Sequence, residues 1–79
     1  MEYNEEKVDE MTLALLYLVT WNDRDFGARA WKGFDWETMN RLYKKGFIDN
    51  PKSKAKSVWL TDEVEKLSAE LFEKHFGLQ

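Results

Sequence analysis

The stretch from Arg41 to Glu63, RLYKKGFIDNPKSKAKSVWLTDE, decides how this chain folds. Its opening reads as the end of a helix: Lys44 and Lys45 stand where the helix dipole favours cations, and Gly46 supplies a left-handed stop. Phe47 and Ile48 begin a strand, Asp49-Asn50-Pro51 breaks it, and Ser57 to Leu60 offers a returning strand rich in β-formers. Thr61 then caps a further helix, with Asp62 and Glu63 in its first turn. Two strands alone are marginal in water, so this hairpin must pack on the helices through Phe47, Val58, Trp59 and Leu60.

Upstream, Asp35 caps the helix that Gly46 ends. Its expected inward face is Trp36, Met39, Leu42 and Tyr43, leaving Asn40, Arg41, Lys44 and Lys45 outward. An earlier helix is expected over residues 5–20, capped by Asn4 and acidic at its start, with an apolar stripe broad enough for a core helix or for half-burial in a dimer. Between the two, Asn22 to Asp25 reads as a polar turn and Phe26 to Lys32 as a short helix ended by Gly33. An extended segment is the alternative, because two glycines in eight residues disfavour a helix. Val64, Leu67, Leu71 and Phe72 mark the buried face of the last helix, which Gly77 ends. The expectation is one domain over residues 1–79, mainly α with a small β-hairpin (α+β): three to four helices on a two-stranded antiparallel wing. Tyr17, Trp21, Phe26, Trp31, Phe34 and Trp36 are expected mostly to fill the small core, with Trp31 and Trp36 the candidates to remain exposed.

Composition narrows the function classes. With no cysteine, neither a disulfide nor a thiolate metal site is available, and a reducing cytoplasm is the expected setting. The longest apolar run, Leu13 to Val19, is far short of a bilayer span, and residues 1–6 lack the basic and apolar regions of a secretory signal. The net charge of −3 conceals a polarity along the chain. Residues 1–23 carry one Lys against six acids, residues 24–56 carry nine Lys or Arg against four acids, and residues 57–79 carry two Lys against five acids. Acidic ends around a basic middle allow a local cationic surface on an acidic protein.

Lys52, Lys54 and Lys56 alternate with small residues, so on an extended arm all three amines would project from one side. They can contact phosphates or simply keep a strand edge soluble. Arg29, Lys32, Asn40, Arg41, Lys44 and Lys45 flank the arm in sequence and complete the candidate nucleic-acid surface, with double-stranded DNA as the possible partner. Against base reading, the start of the helix at Asp35 presents Asp35 and Glu37. Trp31 and Trp36 are candidate anchors for a protein partner, a second copy included, or stacking platforms for single strands. No catalytic constellation, cofactor motif or small-molecule substrate is inferred. His75 is the single histidine, which leaves no zinc-ligand spacing, and Asp23 and Asp25 lack the later ligands of a calcium loop. A binding module is expected, not an enzyme.

Arg41-Leu42-Tyr43-Lys44-Lys45-Gly46-Phe47-Ile48, with the arm and then Val58-Trp59-Leu60-Thr61-Asp62-Glu63, resembles the recognition-helix end and wing of MarR-type winged-helix regulators. That resemblance implies a winged-helix-like fold, with Lys52, Lys54 and Lys56 as wing contacts and Asn40, Arg41 and Lys44 near the groove. The departure lies at Asp35 to Thr38, where the small polar residues of those regulators are replaced. The whole chain, with its WNDRDFGARAWKGFDW centre, is also similar to a family of short bacterial proteins of unknown function.

Overall fold

The computed structural model describes residues 1–23 and 27–78. The chain runs α1 (Glu5–Leu16), a 3-10 turn (Tyr17–Val19), β1 (Thr20–Asp23), β2 (Gly27–Trp31), α2 (Trp36–Lys44), β3 (Ser57–Leu60) and α3 (Asp62–Phe76). The architecture is α+β: three helices and one antiparallel sheet of order β1-β2-β3.

Each helix begins where an oxygen-bearing side chain meets a free amide. Asn4 accepts from Lys7 N at 3.0 Å, Asp35 from Thr38 N at 3.1 Å and Thr61 from Val64 N at 3.2 Å. Gly46, at φ 82°, closes α2: its N–H donates to Tyr43 O and that of Phe47 to Leu42 O, the paired bonds of a Schellman end.

Two expectations are corrected in the sheet. Gly27 to Trp31 is a strand, the extended alternative and not the short helix, and Phe26 lies outside the described residues. The two-stranded wing is replaced by a three-stranded sheet. Ser57 to Leu60 pairs with β2, while Ile48 adds only a single bridge to Leu60. The physical reason is reach. β2 offers β3 a full four-residue ladder, whereas the Phe47-Ile48 segment is cut short by Asp49-Asn50-Pro51. Helix α1 also stops earlier than expected, because the chain turns through Tyr17–Val19 into β1.

The register sorts the sheet into two faces. Thr20, Asn22, Ala28, Ala30, Val58 and Leu60 share one, and Trp21, Asp23, Gly27, Arg29, Trp31, Ser57 and Trp59 share the other. The first is the core face. Ala28, Ala30 and Val58 are fully buried against Leu13, Leu16, Met39 and Leu42, with Val64 closing the cluster from α3. Alanines at 28 and 30 let the helices sit close to the sheet, and each buried leucine contributes about 1.5–3 kcal/mol of transfer free energy.

At the far end of the core, His75 Nε2 lies 2.8 Å from Glu10 Oε2. That hydrogen bond holds the Glu10 carboxyl below its ordinary value of 4.5. A depressed carboxyl stabilises the fold above its unfolded value, and the contribution is lost as pH falls through the lower folded value. Acid titration of unfolding midpoints should therefore show a shallower loss below pH 4.5 in Glu10→Gln than in the parent.

Candidate functional site

The open face of the sheet carries the unusual chemistry. Across its middle, Trp21, Arg29 and Trp59 occupy directly paired positions on β1, β2 and β3. The Arg29 guanidinium carbon lies 4.0 Å from the centroid of Trp59, a cation–π stack. Arg29 Nε donates to Ser57 Oγ at 2.6 Å and Nη2 donates to Ser57 O at 3.3 Å, so the guanidinium is fixed before any partner arrives. Trp31 stands two residues beyond Arg29 on the same face. Trp21 and Trp31 are each 46% exposed.

Past Trp31 the face continues into a cleft of about 280 Å³ lined by Trp31, Lys32, Gly33, Phe34, Trp36 and Lys56. Gly33 is required there by close approach. A Cβ at this position would collide with Trp31 Nε1, so the indole lies directly against the backbone. Lys32 N–H bonds to Lys56 O at 3.3 Å, extending the β2–β3 pairing by one step toward the arm.

The arm, residues 49–56, is folded back rather than extended. Lys32 Nζ donates to Pro51 O at 2.7 Å and to Ser53 O at 2.6 Å, and Pro51 is buried. Asn50 Oδ1 accepts from Lys52 N at 2.9 Å, and Asp49 Oδ1 accepts from Trp59 N at 2.7 Å. Lys52, Lys54 and Lys56 are all exposed and, among the described residues, none has an ion-pair partner.

The nine sequence-predicted cations and polar groups thus divide. Lys52, Lys54, Lys56 and Lys44 are exposed, and Asn40 is half-buried on α2. Arg29 and Lys32 organise the sheet face and the arm. Arg41 and Lys45, expected outward, instead clasp α1. Arg41 Nε meets Asp9 Oδ1 at 2.8 Å, and Lys45 Nζ meets Asp9 Oδ2 at 2.7 Å. Glu5 and Glu6 lie 3.3 and 3.0 Å from the same two cations. Hydrogen bonding to Asp9 and then Glu6 holds the Lys45 ammonium above its ordinary range, so it stays charged where it sits. The reason for the correction is charge matching: the acidic first turns of α1 neutralise the basic last turns of α2 across the helix pair.

The aromatics also depart from expectation. Of the six, Phe26 lies outside the described residues and Phe34 packs against the core; Trp31 and Trp36 are exposed as expected, at 46% and 60%, while Tyr17 and Trp21, expected inside, are 47% and 46% exposed. Tyr43, expected inward on α2, is 41% exposed, and Thr38 takes a buried position instead. Trp21 and Trp59 belong to the site but were not among its predicted residues. The small-large alternation Ala28-Arg29-Ala30-Trp31 is the signal that points to them, since it marks a strand with one packed and one open face.

Among the described residues there is no group of three His, Asp or Glu side chains able to hold a metal ion, and no helix long and apolar enough to cross a membrane. The fold and face define a small α+β domain presenting tryptophans on an open antiparallel sheet. By sequence the chain belongs to the family described as a domain of unknown function, DUF6429, whose model matches residues 4–78. It is 49% identical over 76 residues to the uncharacterized protein y4hR of Sinorhizobium fredii (strain NBRC 101917 / NGR234), covering 96% of this chain and 97% of that bacterial relative. No solved structure matches it significantly.

Proposed function

We propose that the chain is a non-enzymatic binding module associated with nucleic acid, acting through the open sheet face and the lysine arm beside it. The observation that carries this reading is the placement of three lysines, without an ion-pair partner among the described residues, at the end of a tryptophan-bearing sheet, with Lys56 sharing the cleft of Trp31 and Trp36. Cations not neutralised internally are available to phosphates, and each one engaged adds affinity through counterion release. The order α2, arm, β3, α3 supports a winged-helix-like reading of this half of the chain. In the other half the β1–β2 hairpin stands between α1 and α2, so the proposed contact is placed on the sheet and arm rather than on α2. Asp35 and Glu37 at the start of α2 favour that placement, because acids there would face phosphates.

The test is a titration of labelled nucleic acid by fluorescence anisotropy at low and moderate salt. Binding should weaken steeply as salt rises, and Lys52→Glu, Lys54→Glu and Lys56→Glu together should lower affinity by at least about tenfold and flatten the salt slope by about three contacts. Unchanged affinity in the triple variant would remove the arm from the interface. A second reading, as a protein-interaction or self-association module, is favoured by the exposed Trp21, Trp31 and Trp36 beside Arg29, since Trp and Arg dominate protein contact surfaces. Concentration-dependent sedimentation with no affinity for nucleic acid would select it.

A further inference from the structure

We infer that the ligand of the open sheet face is single-stranded nucleic acid, its bases stacked on the exposed Trp21 and Trp31, to either side of the Arg29–Trp59 pair, and its phosphates met by the lysine arm. The inference rests on the proposed association with nucleic acid and deepens it by naming the form recognised.

Three features support the single-stranded form. First, the aromatic groups share one face of the sheet. Trp21, Arg29 and Trp59 lie in one row across three strands, spaced about 4.8 Å from strand to strand, and Trp31 is about 6.6 Å further along β2. Aromatics projecting from an open antiparallel sheet can stack on bases only if those bases are unpaired and splayed, because a duplex keeps its base faces inside the stack. Second, Arg29 and Trp31 are held in place. Arg29 is held on Trp59 by two hydrogen bonds to Ser57, and Trp31 lies against the Gly33 backbone, so little conformational entropy remains to be lost on binding. Third, the charge is complementary and placed at one end. The arm that carries Lys52, Lys54 and Lys56 runs directly into β3 at Ser57, the partner of Trp31, and Lys56 lines the cleft that Trp31 and Trp36 share, so a strand leaving the tryptophans over this cleft meets that amine first. The sheet face offers no helix for insertion into a duplex groove.

The test uses fluorescein-labelled single strands of about twenty thymidines and of about twenty uridines, beside a duplex hairpin of equal length, titrated with the full chain. Expected is tighter binding of a single strand than of the hairpin, with the two single strands reporting whether DNA or RNA is preferred. Trp31→Ala and Trp21→Ala should each weaken single-strand binding by roughly 5- to 100-fold, the range of one lost base stack. Trp31→Phe, which keeps an aromatic face, should recover most of that loss, and circular dichroism confirms that each variant is folded. Preference for the hairpin, or single-strand affinity untouched by both alanine variants, overturns the inference while leaving the broader association with nucleic acid standing. If none of the three probes binds even at low salt, both fail, and a protein partner for the tryptophan face is selected.

Discussion

Replacing Asp9 with alanine should lower the free energy of unfolding by about 1.5–3 kcal/mol, a sizeable part of what a domain of this size possesses. Asp9 is 2% exposed, and each of its oxygens receives one cation, Arg41 at 2.8 Å and Lys45 at 2.7 Å. Removing it leaves two partly exposed charges at the α1–α2 contact with Glu5 and Glu6 beside them and, for Arg41, the Thr38 hydroxyl. The cost is that of partly desolvated charge without its partner, and it exceeds what the pair contributes as a pair. Urea unfolding followed by circular dichroism measures it. The triple change Asp9→Leu, Arg41→Met and Lys45→Met should recover much of the loss by replacing the polar cluster with packed apolar surface. A fall of less than about 1 kcal/mol in Asp9→Ala would mean that the clasp is a solvated surface network.

Leu42→Ala should cost about 2–5 kcal/mol and lower the thermal midpoint by more than about 10 °C. Leu42 is fully buried within the cluster that joins α1, α2, the sheet and α3, and its carbonyl receives Phe47 N–H at the close of α2. Truncation opens a cavity between elements held from several sides, which limits how far the site can collapse. Leu42→Met, of similar volume, should cost less than about 1.5 kcal/mol. Thermal scans of the two variants in parallel separate lost volume from lost helix closure, since both keep the backbone bond.

The parts of the fold legible in the sequence were those written locally. Asn4, Asp35 and Thr61 each accept the capping bond expected of them, and Gly46 stops α2 in the left-handed conformation its position demanded. The β2 strand is obscured because alanine is a strong helix former and a poor β-former, so Ala28-Arg29-Ala30 looks helical by composition although its alternation has a period of two. Its alanines exist to let helices approach the sheet, a requirement set by tertiary packing. The two-stranded wing fails for a related reason: β3 has the composition of a hairpin strand, but its partner, β2, lies earlier in the chain, where composition favours a short helix over an extended segment. In the candidate site, the exposure of Trp31 and Trp36 and of the arm lysines was legible. The fate of Arg41 and Lys45 was not, because it depends on α1 lying beside α2. The acids of α1 stand where the helix dipole favours them, and they serve Arg41 and Lys45 as well.

The bridge at Ile48 and the carboxylate of Asp49 together have a consequence for how this sheet ends. Ile48 pairs with Leu60, and Asp49 engages Trp59 from both its N–H, which donates to Trp59 O at 3.3 Å, and its side chain, which accepts from Trp59 N. The outer rim of β3 is thereby occupied. The opposite rim, β1, is four residues long and finishes at Asn22-Asp23. A surface this rich in tryptophan would invite runaway strand-to-strand growth if its borders were long and bare, and here both borders are blunted. Adhesion is confined to side chains on the flat of the sheet, where it can be selective, and withheld from the backbone at its margins, where it would be indiscriminate.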